Sequence, residues 1–268
     1  MQVVVTVLAG LLGLVTGSFA NVPIHRWPRK GTVTVPRRSV CPACAAPVRA
    51  RDNVPVVSWL LLRGRCRDCG EAFGAQYLVV EVATGVLFAW TAWVWWETPV
   101  LLVALLVHAW AMVVATAIDL EFKIIPNRLT YRLPFVLAPL LVAATLAGDG
   151  DGVALRRAAI FGLVVPGVMF AVSELFRLVR GKVGLGMGDV KLALSLGLVL
   201  GYLGGAALVA FAYGTIIVAA VVAFALIASG RAKLASRIPF GPYLAVGALL
   251  PVLFPAASSA AVRAVFGF

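Results

Sequence analysis

The apolar runs constrain this chain most, because they leave its backbone few choices. Eight stretches, approximately 3–23, 77–96, 100–118, 133–147, 158–176, 190–203, 206–228 and 240–255, carry almost no charge, and most are long enough to cross a bilayer. In hydrocarbon every backbone N–H and C=O must find its partner inside the protein, so spanning segments are helices or closed barrels. These runs are continuous and do not alternate, which selects helices. With 62% hydrophobic residues, 13% charged residues and a mean hydropathy of +1.01, the chain reads as an all-α polytopic membrane protein of about eight transmembrane helices. Runs 133–147 and 190–203 are short and are expected to be tilted or re-entrant.

The basic residues supply an orientation. Only Met1 and Gln2 precede the first run, while Arg26, Arg29 and Lys30 follow it. This is the pattern of an anchor with its N-terminus outside, not of a cleaved signal. Counting onward, the cytosolic connections receive ten Lys/Arg in residues 24–76, then Lys123, Arg128 and Arg132, then Arg177, Arg180 and Lys182, then Arg231, Lys233 and Arg237. The opposite side receives Arg156, Arg157 and Arg263. The net charge of +12 therefore follows the membrane and does not point to nucleic acid. Anionic lipid headgroups are the expected partner of these residues.

Residues 24–76 differ from everything around them, holding ten of the 23 basic residues, five prolines and all four cysteines. The chain thus divides into a first transmembrane helix (1–23), a small cytosolic module (24–76) and a seven-helix membrane domain (77–268). Cys41-Pro-Ala-Cys44 and Cys66-Arg-Asp-Cys69 are two C-x-x-C knuckles with 21 residues between them, close to the spacing of a four-thiolate zinc site. Two tight turns, each offering two sulfurs, satisfy a tetrahedral Zn²⁺ and leave no position open for water, so the expected role is structural. The alternative of two disulfides is disfavoured in a reducing compartment.

Two aspartates stand where charge is expensive. Asp119 ends the third run, and Asp189 follows Gly184-Leu-Gly-Met-Gly188 at the start of the sixth. Ionisable residues at such positions are read as functional by default, although Asp189 alone would also suit a helix cap. The orientation from the basic residues puts both on one side. Two carboxylates able to share a proton form the acid/base pair of an aspartic protease. Gly184, Gly186 and Gly188 weaken the helix and remove side chains, so that an extended substrate strand could pass close by. Gly186, Gly188 and Lys191 are therefore assigned as substrate-binding or supporting residues; Lys191, two residues from Asp189, cannot face it on a helix. His108, eleven residues before Asp119 and roughly 16 Å up the helix axis, is too far to exchange a proton with it. The glycine- and aspartate-rich stretch 148–152 is expected to be a solvated turn. Gly13-x-x-x-Gly17 and Gly197-x-x-x-Gly201 are expected to let helices approach closely.

These residues, taken in order, resemble the type IV prepilin peptidases. The resemblance rests on Gly17-Ser-Phe-Ala-Asn-Val22 with Arg26 and Pro28, the paired knuckles, Asp52-Asn-Val-Pro55, Ser58-Trp-Leu and Leu62-Arg-Gly-Arg-Cys66. It continues with Ile118-Asp119, Ile125-Pro-Asn, Gly186-Met-Gly-Asp189-Val-Lys-Leu and Ile238-Pro-Phe-Gly-Pro242. Where that family commonly has Arg-Tyr-Pro before the Glu that opens the second span, this chain reads Gln76-Tyr-Leu-Val-Val-Glu81, keeping the Tyr and the Glu.

The resemblance implies a membrane aspartic endopeptidase with Asp119 and Asp189 as its dyad, in the bacterial inner membrane. Its substrates would be prepilins and pseudopilins of type IV pili and type II secretion, cut after a glycine at the cytosolic face. It also implies N-methylation of the new amino terminus from S-adenosylmethionine; no glycine fingerprint of a nucleotide fold is present to show this independently. The rival reading is a proton-coupled transporter with the aspartates as a relay. That reading calls for repeat symmetry and carboxylates near the bilayer midplane.

Overall fold

The requirement that apolar runs satisfy their own backbone is met by ten α-helices among the described residues, with no strand and only two single β-bridges, Val40–Pro47 and Arg65–Ala72. The computed structural model describes residues 1–35, 39–41, 43–181, 184–231 and 239–266. Pro42 of the first knuckle, the basic residues Arg37, Arg38, Lys182, Lys233 and Arg237, and Ile238 lie outside the described residues. The chain folds as two compact units, Met1–Trp96 and Glu97–Phe268.

In the first unit α1 (Gln2–Arg26) packs along α3 (Gln76–Trp95). Glycine makes this approach possible. A Cβ on Gly13 would lie 2.7 Å from the Thr84 carbonyl oxygen, and one on Gly17 would lie 2.9 Å from Glu81 Cα. The Gly13-x-x-x-Gly17 spacing is therefore a packing device, since small residues let membrane helices pair by backbone contact. Val4, Leu8, Leu11 and Val15 point outward and exposed, as lipid-facing side chains do. Between the two helices lie a 3₁₀ turn (Ala50–Asp52), the short α2 (Val57–Leu61) and the two cysteine knuckles.

The second unit is built around α4 (Pro99–Phe122), with α5 (Asn127–Leu146), α6 (Gly152–Arg180), α7 (Met187–Leu203), α8 (Gly205–Ala228), α9 (Gly241–Leu253) and α10 (Pro255–Phe266). In α4, 67% of the most apolar window is buried, against 11% in α6 and in α8, so α4 is the core helix and the other two are peripheral. α4 touches α5, α7 and α9. A Cβ on Gly201 would lie 2.8 Å from the Arg157 carbonyl oxygen, and one on Gly197 would run into that of Phe161, so α7 seats directly on the α6 backbone. Leu192, Leu196 and Leu200 fill the space behind it, fully buried.

Among the described residues six helices, α1, α3, α4, α5, α6 and α8, are long and apolar enough to cross a membrane. The run at 133–147, expected to be short, is completed by polar residues ahead of it to give the 20-residue α5. α7 has 17 residues. The last apolar run, 240–255, makes only the 13-residue α9, and the chain bends by 101° there into α10. Pro255 accounts for the break, because it lacks an N–H and pushes the preceding residue out of helical geometry; Phe254 stands at φ −134°, ψ 60°. Hydropathy counts that run as a span by itself, although a 13-residue helix rises only about 20 Å, short of the roughly 30 Å of a bilayer core. The 148–152 turn also does more than meet solvent. Asp149 Oδ2 accepts the Val100 and Leu101 N–H groups at 2.7 and 2.9 Å, and Asp151 Oδ1 accepts that of Ala154 at 2.7 Å, so one turn caps the starts of α4 and α6.

Candidate active site

Asp119 stands in the last turn of α4 and is 5% exposed. The helix stops four residues later because Lys123 adopts the left-handed conformation, φ 56°, and Pro126 then opens α5 as its N-cap. Asp119 Oδ2 accepts the backbone N–H of Gly241, the first residue of α9, at 2.8 Å. A helix N-terminus thus points its partial positive charge at the carboxylate. A Cβ at Gly241 would fall 2.8 Å from the same oxygen and 3.2 Å from Asp119 Cβ, so only glycine brings this N–H into range.

Asp189 lies in the first turn of α7, three residues past the N-cap Gly186, and is 8% exposed. Its Oδ1 is buried without a hydrogen-bond partner. α4 and α7 are in contact, and a Cβ on Gly188, the residue before Asp189, would lie 3.0 Å from Ile125 in the turn that follows Asp119, so both carboxylates stand where these two helices meet.

The glycines around Asp189 are surrounded by this protein's own atoms. A Cβ on Gly184 would lie 2.9 Å from the Phe176 side chain, one on Gly186 2.9 Å from Asp189 Oδ2, and one on Gly188 3.0 Å from Ile125 Cβ. Ser173 holds the loop from α6 by bonding Leu185 through both its N–H and its C=O. Gly188 thereby admits the Ile125-Pro-Asn turn that follows Asp119. Lys191 Nζ donates to Asn127 Oδ1 at 2.9 Å and sits 5.0 Å above the Tyr131 ring, tying that turn to α7. His108 is fully buried in α4, and neither ring nitrogen has a partner.

The four cysteines converge. Their sulfurs all lie within 4.8 Å of one another, with Cys41 Sγ and Cys69 Sγ 3.8 Å apart, and none forms a disulfide. That separation matches the edge of a tetrahedron with metal–sulfur bonds of about 2.3 Å, so the cluster could hold a metal ion. The knuckles are built alike. The Cys41 N–H donates to Ala46 and the Cys66 N–H to Glu71, each closing a turn whose fifth residue, Ala45 or Gly70, is left-handed. Arg49 pairs with Asp68 across the knuckles at 2.8 Å, and Arg67 grips both oxygens of Asp52. The Cys41 thiol is lowered to about 7, first by the Cys44 N–H and then by that of Ala43. The Cys69 sulfur receives the Glu71 N–H, which works downward, yet burial and the neighbouring thiols push it up to about 12.

A cavity of about 260 Å³ lies within the first unit, between the end of α1, the module and the start of α3. Glu81, read from sequence only as a residue of the second span, is 7% exposed on its wall.

Known proteins give these features a common context. The bacterial peptidase A24 N-terminal domain matches residues 11–95, and the type IV leader peptidase family matches residues 105–228. A protein of Burkholderia pseudomallei, named prepilin leader peptidase/N-methyltransferase, is 34% identical over 271 residues, which cover 91% of this chain and 84% of its own. Proteins of the same name from Aeromonas salmonicida and Pseudomonas aeruginosa are 34% and 31% identical, over 92% and 91% of this chain and 90% and 88% of theirs.

The chain belongs to the type IV leader peptidase family.

Within that family assignment, the matched segment 105–228 contains both aspartates and the 11–95 segment contains the four cysteines and the cavity, while Gly241 lies beyond both. No solved structure matches the chain. Sequence reasoning from the residues alone did not assign Gly241, Asn127 or Tyr131 to the site. A Gly-Pro pair opening an apolar run signals a helix start, but nothing local says which carboxylate that start will meet.

Proposed function

We propose that this protein is a membrane aspartic endopeptidase that removes the leader of type IV prepilins after a glycine, and that it then N-methylates the new terminus. One observation carries the reading: two buried aspartates at the ends of two helices that touch, in a chain whose relatives are named prepilin leader peptidase/N-methyltransferase. The transporter alternative finds no support in these relatives.

The two carboxylates are not equivalent. Asp119 Oδ2 has a backbone N–H donor, which favours a charged oxygen, and Asp189 Oδ1 has none, which favours a proton there. Asp119 is accordingly the base that takes a proton from the attacking water. Asp189 hydrogen-bonds the scissile carbonyl and gives its proton as the tetrahedral oxygen forms; the proton held by Asp119 then passes to the leaving amine as the C–N bond breaks, and a hydroxyl proton of the tetrahedral carbon returns to Asp189 as the new carboxylic acid forms. Gly186, Gly188 and Lys191 act as supporting residues that hold the turn after Asp119 against α7.

The tetracysteine cluster takes Zn²⁺ as a structural ion, because four thiolates leave no open coordination position. S-adenosylmethionine supplies the methyl group when bound. The substrate class extends to pseudopilins, whose apolar N-terminal helix has the same chemistry. The basic connections face anionic lipid at the cytosolic side of the inner membrane, with the cysteine module and both aspartates on that side and the N-terminus outside. Residues 24–76 form the metal-binding module and residues 77–268 the membrane region that carries the aspartates.

The test is a reconstitution. Purified protein in lipid, given a synthetic prepilin peptide, is expected to release the leader at the glycine. With S-adenosylmethionine added, the mature product gains the mass of one methyl group. An intact peptide, or cleavage elsewhere, overturns the assignment.

A further inference from the structure

The cavity of the first unit holds a carboxylate that neither the aspartate dyad nor the cysteine cluster uses. Its volume, about 260 Å³, falls below the roughly 300–1,000 Å³ of sites that enclose a whole small molecule, so it suits one side chain of a larger ligand. Trp59, Phe73 and Tyr77 line it with Asp52, Arg65 and Glu81. Arg67 holds both oxygens of Asp52. Glu81 is 7% exposed, and no cation among the described residues pairs with it. The basic residues of the same wall are directed elsewhere: Arg65 to the Gly70 carbonyl, Arg26 to those of Thr32 and Val33, and His25 to Arg29. A buried carboxylate without a counter-ion is costly, and a cationic ligand removes that cost.

Two further observations point into the same space. The indole Nε1–H of Trp59 is buried without an acceptor, although such a donor usually finds one. Its ring is fixed against Gly64, where a Cβ would lie 2.9 Å from it. Glu81 Oε2 accepts the Val56 N–H at 2.7 Å, and Val56, a β-branched residue, stands at φ 63°, ψ −52°. Positive φ at such a residue is strained, and strain of this kind collects at ligand clamps. The cavity thus offers an acceptor for a cation, a donor for a carbonyl, and aromatic faces against which an alkyl stem or a guanidinium can lie.

We propose that this cavity seats one lysine or arginine of the leader peptide, with its cationic head against Glu81 and a backbone carbonyl beside it on the Trp59 N–H. A free amine brings only the cation, since an ammonium has no acceptor to offer Trp59. A peptide residue brings the cation and the carbonyl together. The leader is the part of the substrate outside the apolar helix, on the side proposed above for residues 24–76. The inference rests on the peptidase reading and adds a determinant of which leaders the protein accepts.

Binding of leader peptides to purified full-length protein in lipid, followed by fluorescence anisotropy, tests this apart from turnover. The peptides end at the glycine, and each carries one lysine at a successive position beside a twin with norleucine, which keeps the alkyl chain and loses the charge. At one position, or two neighbouring ones, norleucine is expected to weaken binding to the parent by about tenfold or more, the worth of a hydrogen bond to a charged group. Glu81→Gln keeps an acceptor for the Val56 N–H and removes the charge, and it is expected to bind the lysine peptide as weakly as the norleucine one. Trp59→Phe keeps most of the ring and is expected to weaken both twins alike, because its lost N–H serves the backbone. Metal content and thermal unfolding of each variant confirm that it is folded. Twins that bind the parent equally at every position, or a folded Glu81→Gln protein that still prefers lysine, overturn the site. n-Butylamine that binds the parent as tightly as the best leader gives the cavity to a free amine and overturns the peptide assignment. A parent that prefers lysine through Glu81 yet leaves a prepilin peptide intact in the reconstitution overturns the peptidase reading and keeps the site.

Discussion

At the scale of single residues, the environment separates two identical side chains. Asp119 receives a helix N-terminus through Gly241, and Asp189 has a buried oxygen that receives nothing. Gly241→Ala tests this asymmetry. The added Cβ would fall 2.8 Å from Asp119 Oδ2, so the start of α9 must retreat. The expected outcome is a loss of about 1–3 kcal/mol in unfolding measurements, the usual cost of overpacking a core, together with slower cleavage; an unchanged rate would mean that the Gly241 N–H does not serve Asp119. Both aspartates were legible in the sequence, because charge in an apolar run is conspicuous. Gly241 was not legible by its own chemistry, since its partner is 122 residues away. The glycines before Asp189 read in sequence as places where another backbone can pass at touching distance; in the structure the Ile125 backbone stands beside Gly188, and the Phe176 and Asp189 side chains stand beside Gly184 and Gly186.

At the scale of elements, the cysteine knuckles and the helix caps carry the testable chemistry. All four thiols must lose their protons to bind a metal, and without metal Cys41 sits at about 7 and Cys69 at about 12. Metal binding therefore releases protons, and affinity falls as pH falls. Zinc uptake by metal-free protein is expected to acidify a weakly buffered solution. Dialysis at about pH 5 is expected to strip the metal, and proteolysis is then expected to open residues 24–76 first; a metal content that does not change between pH 8 and pH 5 would contradict the four-thiolate assignment. Asp52 adds a second, lower transition. The hydrogen bonds from Arg67 hold its carboxyl below the ordinary value of 3.8, so that contribution is present above that value and is lost as pH falls through the lowered one. In the second unit, Asp149→Ala is expected to cost about 1 kcal/mol by uncapping α4, measurable as a lower unfolding midpoint. The spacing of the knuckles was readable because metal geometry dictates it. The double cap was not, because a Gly/Asp turn looks the same whether it meets water or two helix starts.

At the scale of the whole molecule, hydropathy gave the helices and missed their breaks. The count of eight crossings is reached only if the 17-residue α7 crosses and the bent pair α9–α10 acts as one span, beyond the six helices that qualify by themselves. Under that arrangement both termini lie outside. Reporter fusions at the two ends are expected to give external signals and fusions within 24–76 a cytosolic one; a cytosolic C-terminus would remove one crossing. Two units meet two chemistries, with the cysteines and the cavity in Met1–Trp96 and the aspartates in Glu97–Phe268. The central claim is that Asp119 and Asp189 act together on a peptide bond. It is tested most directly by the cleavage rate of a prepilin peptide with Asp119→Asn and Asp189→Asn, each in protein whose metal content and unfolding match the parent. The prediction is that each single variant falls by about a thousandfold or more, and that the double variant is little worse than either, as for groups acting as a unit. Full cleavage by either folded variant would contradict it.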